Sequence, residues 1–197
     1  MTDFKNSETA KNLMRAFAGE SQARNRYTFA AGQAEKEKLP VIQAVFTYTA
    51  NQEKEHAEIF YNYLKDLKGE TIFIDGGYPV DLYDKTYDLL KSARHNEYEE
   101  YQDVYRNFAE IAKQEGFSRI SSSFSMISEI EKIHGDRFQL FADYLEKNQL
   151  FVSDTETGWI CLNCGYVTHG FEAPKVCPVC SHEQGYFVRV ELSPFLR

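Results

Sequence analysis

Pairs of metal-binding side chains, each spaced three residues apart, place the strongest constraint on how this chain can fold. With one isolated glutamate they make a set of seven: Glu20, Glu53 with His56, Glu97 with Glu100, and Glu131 with His134. Positions three apart lie on one face of an α-helix, so each pair offers two ligands in the same direction. Each member also falls on an apolar helical stripe, where burying an unpaired carboxylate is costly. The set therefore predicts two metal ions inside a helical core.

Four long amphipathic stretches carry these residues. Apolar side chains recur at steps of three and four, which is the seam of a helical bundle. The predicted helices are 7–38, 40–68, 84–114 and 118–147. The predicted inward stripe of the third is Leu90, Ala93, Glu97, Glu100, Val104, Phe108 and Ile111. Residues 69–82 hold three glycines and a proline and are predicted as a long crossover. An all-α four-helix bundle with one crossover between its second and third helices is the ferritin-like topology.

The last quarter of the chain differs in composition. It holds two Cys-x-x-Cys pairs, which are Cys161 with Cys164 and Cys177 with Cys180. A segment this short cannot bury a sizeable core, so a metal is expected to hold it. We predict three parts, namely a bundle at 1–147, a linker at 148–157 and a small metal ribbon at 158–197. The spacing of the cysteines alone fits a structural zinc, the commoner outcome, as well as a single iron ion.

Composition limits the partners and the location. The net charge of -8 disfavours nucleic acid and anionic membranes as partners. The first seven residues carry charges and no apolar run, so no signal peptide is predicted, and no stretch reaches the length of a membrane span. Tight cysteine pairs in a reducing compartment indicate metal more often than disulfides. A cytoplasmic location is therefore expected.

The ligand types favour iron in the bundle. Five carboxylates nearly balance the charge of two ferrous or two ferric ions, whereas without metal they would repel one another and take up protons. Mixed oxygen and imidazole ligation suits iron or manganese better than copper or a structural zinc. A single Glu-x-x-His pair usually lies on a solvated helix face. The joint occurrence of the set on four core stripes argues against that reading here.

These motifs resemble the rubrerythrin family over essentially the whole chain. The matching stretches are AGESQARNRY at 18–27, EKEHA at 53–57, EYEE at 97–100 and EKIH at 131–134. CLNCGYV at 161–167 and CPVC at 177–180 resemble rubredoxin, with Trp159, Tyr166 and Phe187 as shielding aromatics. The chain departs from the family at Asn96 and Ser181, where glycine is expected. Neither residue is a predicted ligand.

The resemblance implies a peroxidase that reduces hydrogen peroxide to water in defence against oxidative stress. The seven ligands would form its di-iron catalytic site, and the four cysteines would hold one iron ion, with zinc as a possible replacement. Electrons derived from NAD(P)H would arrive through a redox partner and pass through the ribbon. Glu100 and His56 would exchange places as ligands when the iron changes oxidation state, while the other five stay bound. The family also implies a head-to-tail homodimer.

Secondary residues and other functions complete the expectations. By the resemblance, Tyr27 and Tyr105 would hydrogen-bond to ligand carboxylates; ordinary core packing is the alternative. His95, Glu99, His169 and His182 are predicted at the surface. Two further functions stay open. One is a ferroxidase that oxidises and stores iron, which leaves the ribbon unexplained. The other is a non-enzymatic interaction module with a zinc ribbon.

Overall fold

The computed structural model describes residues 3–193. Within them, the α-helices are α1 Glu8–Lys36, α2 Pro40–Tyr63, α3 Thr86–Glu99, α4 Tyr105–Gln114 and α5 Ser118–Glu146. The strands are β1 Val152–Cys161, β2 Val167–Glu172 and β3 Phe187–Arg189. They form one antiparallel sheet in the order β2-β1-β3. The predicted four-helix bundle and small C-terminal ribbon are confirmed.

Two helical hairpins form the bundle. α1 packs on α2, and the rod made of α3 and α4 packs on α5. Ser7 caps α1 by accepting a hydrogen bond from the Ala10 N–H, and Pro40 opens α2 at a position where its missing N–H costs nothing. Gly116, at φ +92°, makes the tight turn into α5. Residues 70–83, which link the hairpins, form neither helix nor strand.

A π turn interrupts the third rod. Residues Glu100–Val104 are π-helical, and the Tyr105 N–H donates to the Glu100 carbonyl five residues earlier. The extra residue shifts the register of everything that follows. The predicted inward residues Val104, Phe108 and Ile111 are only half-buried, and the buried ones are Tyr105, Ala109 and Ala112. The predicted stripe is therefore wrong beyond Glu100 by one residue.

Aromatic side chains cover both ends of the bundle's polar centre. On one side Phe46 and Phe138 pack with ring centroids 5.2 Å apart, in a cluster that includes Tyr27. On the other side Phe60 and Phe124 stack at 4.9 Å. All four phenylalanines are completely buried. The polar residues at the bundle centre therefore lie between two layers of buried aromatic rings. Electrostatic interactions are strong in such low-dielectric surroundings.

The ribbon packs on the end of the bundle where α1 turns into α2. Its apolar residues Leu150, Ile160 and Val188 belong to the same buried cluster as Val41 and Ile42 of α2. Gly185 comes so close to this turn that an added Cβ would lie 2.5 Å from the Lys38 carbonyl oxygen. The two parts thus share one apolar core.

Residues 152–157, which the sequence assigns to a linker, belong to β1. The polar side chains there suit an exposed strand as well as a linker. The pairing of β1 with β2 is irregular between Val152 and Thr157, and within this stretch only these two end residues have a partner on β2. Arg189 fixes this segment by donating to the carbonyls of Gln149 and Val152 at 3.0 and 2.7 Å. Its guanidinium also lies between the rings of Tyr144 and Trp159.

No helix among the described residues combines the length and apolarity needed to cross a bilayer.

Candidate metal centres

Six of the seven predicted ligands meet inside the bundle. They form two groups of four, which are Glu20, Glu53, His56 and Glu131, and Glu53, Glu97, Glu131 and His134. α1 and α3 each supply one glutamate, and α2 and α5 each supply a Glu-x-x-His pair. All six side chains are buried. Since two residues occur in both groups, the arrangement is a pair of adjoining metal sites.

Glu53 and Glu131 lie between the two histidines. The carboxylate of Glu53 places Oε2 3.1 Å from Nδ1 of His56 and Oε1 2.9 Å from Nδ1 of His134. Glu131 does the same at 3.0 and 2.9 Å. Each of these carboxylates therefore offers one oxygen to each half-site.

The other two glutamates serve one half-site each. Glu20 Oε1 lies 3.9 Å from Nδ1 of His56, and Glu97 Oε2 lies 3.9 Å from Nδ1 of His134. The imidazole rings are nearly parallel, with centroids 5.5 Å apart. The two half-sites are thus close to equivalent, and each has one histidine, one private glutamate and two shared ones.

Most polar atoms of this cluster have no hydrogen-bond partner among the described residues. Among the buried atoms without a partner are both carboxylate oxygens of Glu53 and Glu131, one oxygen each of Glu20 and Glu97, and both ring nitrogens of His134. Leaving so many buried groups unsatisfied would cost several kcal/mol or more. Cations would satisfy the carboxylate oxygens and one nitrogen of each histidine at once, and the mixed oxygen and nitrogen set suits iron. The residues present therefore fit a di-iron centre.

Two buried tyrosines orient the private glutamates. The Tyr27 hydroxyl donates to Glu97 Oε1, and the Tyr105 hydroxyl donates to Glu20 Oε1. Each tyrosine therefore contacts the glutamate of the facing rod. In Glu97 the other oxygen, Oε2, faces His134. In Glu20, by contrast, the same oxygen, Oε1, lies between Tyr105 and His56. The register shift of the π turn is what places Tyr105 inward for this contact.

Glu100 stands apart from both groups of four. It is half-buried and is the first residue of the π turn. Burial, together with the charges of Glu131 and Glu53, raises its pKa well above the ordinary value, which places it within electrostatic reach of the cluster. π turns interrupt helices mostly at functional sites. The structure thus brings Glu100 next to the metal cluster without making it a member.

Protons replace cations in the metal-free cluster. Burial and neighbouring carboxylates raise the pKa of Glu20 and of Glu97 well above the usual range. Burial alone would lower the pKa of His56, but Glu131 and Glu53 raise it to about 10. In the same way, Glu53 and Glu131 overcome burial and raise the pKa of His134 to about 9. The two histidines in turn lower the pKa of Glu53 to about 2 in spite of its burial.

We expect the metal-free protein to lose stability as the pH rises from 6.5 to 9. His56 and His134 have raised pKa values in the folded state, so their stabilisation is complete below the ordinary value of 6.5 and is lost as the pH rises through 9 to 10. The raised pKa values of Glu20 and Glu97 act in the same direction, because folded carboxyls must give up protons that burial favours. Thermal unfolding of the metal-free protein, followed by circular dichroism, should show a midpoint several degrees lower at the higher pH.

The iron-loaded protein is the control for this measurement. Its midpoint should fall less over the same range, because cations have replaced the protons. A metal-free midpoint that stays constant or rises with pH would contradict the expectation.

Arg137 is a neighbour of the cluster that the sequence did not single out. It follows His134 by three residues on the same helix face, and that spacing was the available signal. Its Nη1 donates to Thr49 Oγ1 at 2.8 Å and to Gln52 Oε1 at 3.0 Å. This side chain places a fixed positive charge beside the acidic cluster, and its two hydrogen bonds connect α5 to α2.

The four cysteines form a second candidate centre in the ribbon. Sγ of Cys161 lies 3.7 Å from that of Cys180, and Sγ of Cys164 lies 3.6 Å from that of Cys177. Four sulfurs at about 2.3 Å from a central ion would be about 3.8 Å apart, so the set fits a tetrahedral metal. The N–H of His182 lowers the pKa of the Cys180 thiol to about 6, which favours the thiolate that binds metal. Trp159 and Phe187 are fully buried against this centre, and Tyr166 is half-buried.

The two turns that carry the cysteines are built alike. Gly165 and Ser181 follow the second cysteine of their pairs, at φ +77° and +59°. Their N–H groups donate to the carbonyls of Cys161 and Cys177 at 2.8 and 2.9 Å. Glycine adopts this conformation freely, whereas serine does so at a cost. The second turn, where serine replaces the glycine of the family pattern, therefore carries local strain.

The remaining residues singled out in the sequence lie outside both centres. His95 and Glu99 pair at the surface at 3.4 Å, and both are more than half exposed. His169 is exposed, but His182 is half-buried with its ring against Tyr186. Asn96 is buried and donates to Asp81 of the crossover at 2.8 Å.

A ferritin-like bundle with a two-metal cluster, continued by a tetrathiolate ribbon, defines a di-iron protein with a rubredoxin-like domain. Comparison with known proteins agrees with this class. The rubrerythrin family model matches residues 11–142, and the model of the rubrerythrin rubredoxin-like domain matches residues 159–188. The chain belongs to the rubrerythrin family.

Relatives resemble the chain along nearly its full length. A rubrerythrin of Clostridium perfringens is 44% identical over 95% of this chain and 96% of its own. A rubrerythrin of Nitratidesulfovibrio vulgaris is 39% identical over 95% and 96%. Fully reduced, all-ferrous nigerythrin superposes with a TM-score of 0.63 at 25% identity, covering 96% of this chain and 94% of that one. A bacterioferritin of Desulfovibrio desulfuricans, at 21% identity and a TM-score of 0.64 over 72% and 82%, shares the bundle fold.

Proposed function

We propose that this protein is a peroxidase that reduces hydrogen peroxide to water at the bundle cluster, with electrons delivered through the cysteine ribbon. The observation that carries the proposal is the presence in one chain of a two-metal cluster and a separate tetrathiolate centre. Two iron ions at the cluster can supply the two electrons that the reaction needs, and a single iron among four thiolates can pass on one at a time. A ferroxidase has no need of the ribbon.

The protein's own residues prepare the cluster for this reaction. Glu53 and Glu131 hold both half-sites together, and Tyr27 and Tyr105 keep the private glutamates in place. The surrounding phenylalanines exclude bulk water, so the fixed charges act at low dielectric. Arg137 offsets part of the negative charge from the α2–α5 side.

We propose that Glu100 and His56 are alternative ligands of the same half-site. His56 lies within the group of four that includes Glu20, whereas Glu100 lies just outside it. Both residues face the same carboxylates, since Glu131 and Glu53 shift the pKa of each. The exchange suits a centre whose charge changes, because a carboxylate matches the more positive state and a neutral imidazole the less positive one.

The position of the ribbon supports a dimer in which subunits exchange electrons. The ribbon contacts α2 at Val41, which is twelve residues from Glu53 and thus about 18 Å along the helix. We propose that each ribbon serves the cluster of a partner in a head-to-tail homodimer. NAD(P)H-derived electrons would reach the ribbon from a donor protein in a reducing, cytoplasmic compartment, where the four cysteines stay available for metal.

Anaerobic stopped-flow absorbance tests the proposed reaction. Reduced, iron-loaded protein is mixed with hydrogen peroxide or with oxygen, and each centre is followed by its own absorbance. We expect peroxide to oxidise the bundle centre faster than oxygen does, and the ribbon to follow. Faster reaction with oxygen, followed by accumulation of mineral iron, would contradict a peroxidase and favour a ferroxidase. Zinc alone in protein made with ample iron would contradict both.

A further inference from the structure

A small cavity reaches Glu100, beside the cluster, from one side. It has a volume of about 200 Å³ and lies between α1, the π turn and the crossover. Its walls include Glu100 and Tyr105, and Tyr105 donates to Glu20. Four other cavities among the described residues touch none of the seven predicted ligands. The cavity is therefore a route by which a small molecule can approach the half-site of Glu20 and His56.

The crossover forms the roof of this cavity. Residues 76–79 line it, and the hydroxyl of Tyr78 donates to the carbonyl of Arg15 on α1 at 3.1 Å. The Tyr78 ring passes over Gly19, where an added Cβ would be 3.8 Å from it. At Gly76, an added Cβ would lie 3.1 Å from the Tyr78 hydroxyl and 3.2 Å from its ring, so a larger residue there would press on this side chain. The ring is thus seated against α1 by its close neighbours.

Two arginines of α1 hold the ends of this roof. The Arg15 guanidinium donates to the Asp75 carboxylate at 2.6 Å and to the Asp75 carbonyl at 3.1 Å. Arg26 binds the Asp81 carboxylate at 2.7 Å. Arg15 and Arg26 are eleven residues apart, or about 16 Å along the helix. The six Cα–Cα steps from Asp75 to Asp81 can span at most about 22 Å. The segment between the two aspartates is therefore only slightly longer than the distance it spans, and this holds the roof over the cavity.

The size and lining of the cavity suit a small polar molecule. Pockets for larger organic ligands start at about 300 Å³, whereas a water occupies about 30 Å³. Gln22 lines the cavity, and its Nε2 is buried without a hydrogen-bond partner. Asn96 and Arg26 line the same wall and donate to Asp81. The Nε2 group of Gln22 is therefore the donor that can bind an oxygen of a peroxide.

We propose that this cavity is the route by which peroxide enters the bundle centre and that Tyr78 determines its specificity, admitting hydrogen peroxide and excluding bulky organic hydroperoxides. The inference rests on the proposed peroxidase function. Burial and the charge of Glu100 raise the pKa of the Tyr78 hydroxyl, which agrees with its place above that carboxylate. Tyr78 contacts no predicted ligand and acts by limiting the space in front of them.

Kinetics with two substrates test the role of Tyr78. The measured quantity is kcat/KM for cumene hydroperoxide divided by kcat/KM for hydrogen peroxide. Tyr78→Ala removes the ring and should raise this ratio at least about tenfold, the scale on which pocket size discriminates between substrates. Tyr78→Phe keeps the ring and should keep the wild-type ratio. Tyr83→Ala, an exposed tyrosine of the same crossover that does not line the cavity, is the matched control.

A second readout does not depend on activity. In the reduced, iron-loaded protein, 2,2′-bipyridine should withdraw bundle iron faster from Tyr78→Ala than from the wild type, Tyr78→Phe or Tyr83→Ala. A substrate ratio for Tyr78→Ala within about twofold of the wild type would overturn the inference. If the wild-type protein fails to turn over hydrogen peroxide, the proposed function is wrong. In that case equal withdrawal rates for Tyr78→Ala and the wild type would overturn the covering role of Tyr78 as well.

Discussion

Glu131→Ala is expected to remove both iron ions from the bundle and to abolish peroxide turnover. Glu131 places one oxygen beside each histidine, so its loss takes a ligand from both half-sites at once. Changes to residues that merely support metal ligands weaken binding about 10- to 100-fold, and loss of a shared ligand should exceed that range. Iron content per chain and turnover with hydrogen peroxide are the measurements. Retention of two bundle iron ions would contradict the shared geometry.

Two further variants sharpen this expectation. Glu129→Ala changes an exposed glutamate on the same helix and should keep iron and activity. Glu20→Ala removes a ligand from the His56 half-site alone and should leave one bundle iron bound at the His134 half-site. Circular dichroism of each metal-free variant shows whether the helices form. Glu131→Gln, which conserves the side-chain volume, replaces Glu131→Ala if the alanine variant does not fold.

Cys161→Ser is expected to stop steady-state turnover while leaving the bundle centre intact. Cys161 is fully buried in the ribbon and is one of four sulfurs that fit a single metal, so its loss should remove that iron and its thiolate absorption. Electrons from the donor then have no path to the cluster. Chemically reduced protein should still react once with hydrogen peroxide, since the six grouped bundle residues are unchanged. Glu156→Ala, exposed on β1, is the control and should turn over normally.

Mixing the two inactive chains tests the proposed dimer. In a mixed dimer, the ribbon of the Glu131→Ala chain is intact and so is the cluster of the Cys161→Ser chain. Random exchange makes half of the dimers mixed, each with one working centre of two, so about a quarter of the wild-type activity should return. Mixed dimers that form, as shown by native mass spectrometry, but recover no turnover would contradict transfer between subunits.

The sequence predicted the bundle and its ligands because both depend on spacing along regular helices. A glutamate and a histidine three residues apart share a face wherever the helix lies, and apolar steps of three and four place that face inward. The tetrathiolate site was predictable for a similar reason, since two Cys-x-x-Cys turns carry their geometry locally. The relation between half-sites was not predictable. That Glu53 and Glu131 each face both histidines follows from how α2 and α5 cross, which no local spacing records.

Other features escaped because they depend on tertiary contacts. Residues 148–157 were predicted to be a linker, but 152–157 belong to β1. Arg189, which is distant in sequence, holds this segment through the carbonyls of Gln149 and Val152. The role proposed for Tyr78 depends on two ion pairs between the crossover and α1. The π turn escaped because Val104, Phe108 and Ile111 continue the apolar period as well as their buried successors do. One added residue in a helix leaves no trace in such a pattern.

That added residue also bears on how such a centre can arise. Taking one residue out of the segment Glu100–Val104 would turn all of α4 by about 100° and swing Tyr105 away from Glu20. Glu97 and its partner Tyr27 lie upstream and would stay in place. A one-codon insertion or deletion in this segment can therefore rebuild one half of a paired centre in a single genetic event while the other half keeps its ligands. Paired metal sites of this kind need not change by gradual substitution, since one change in chain length is enough to gain or lose a buried contact in one half.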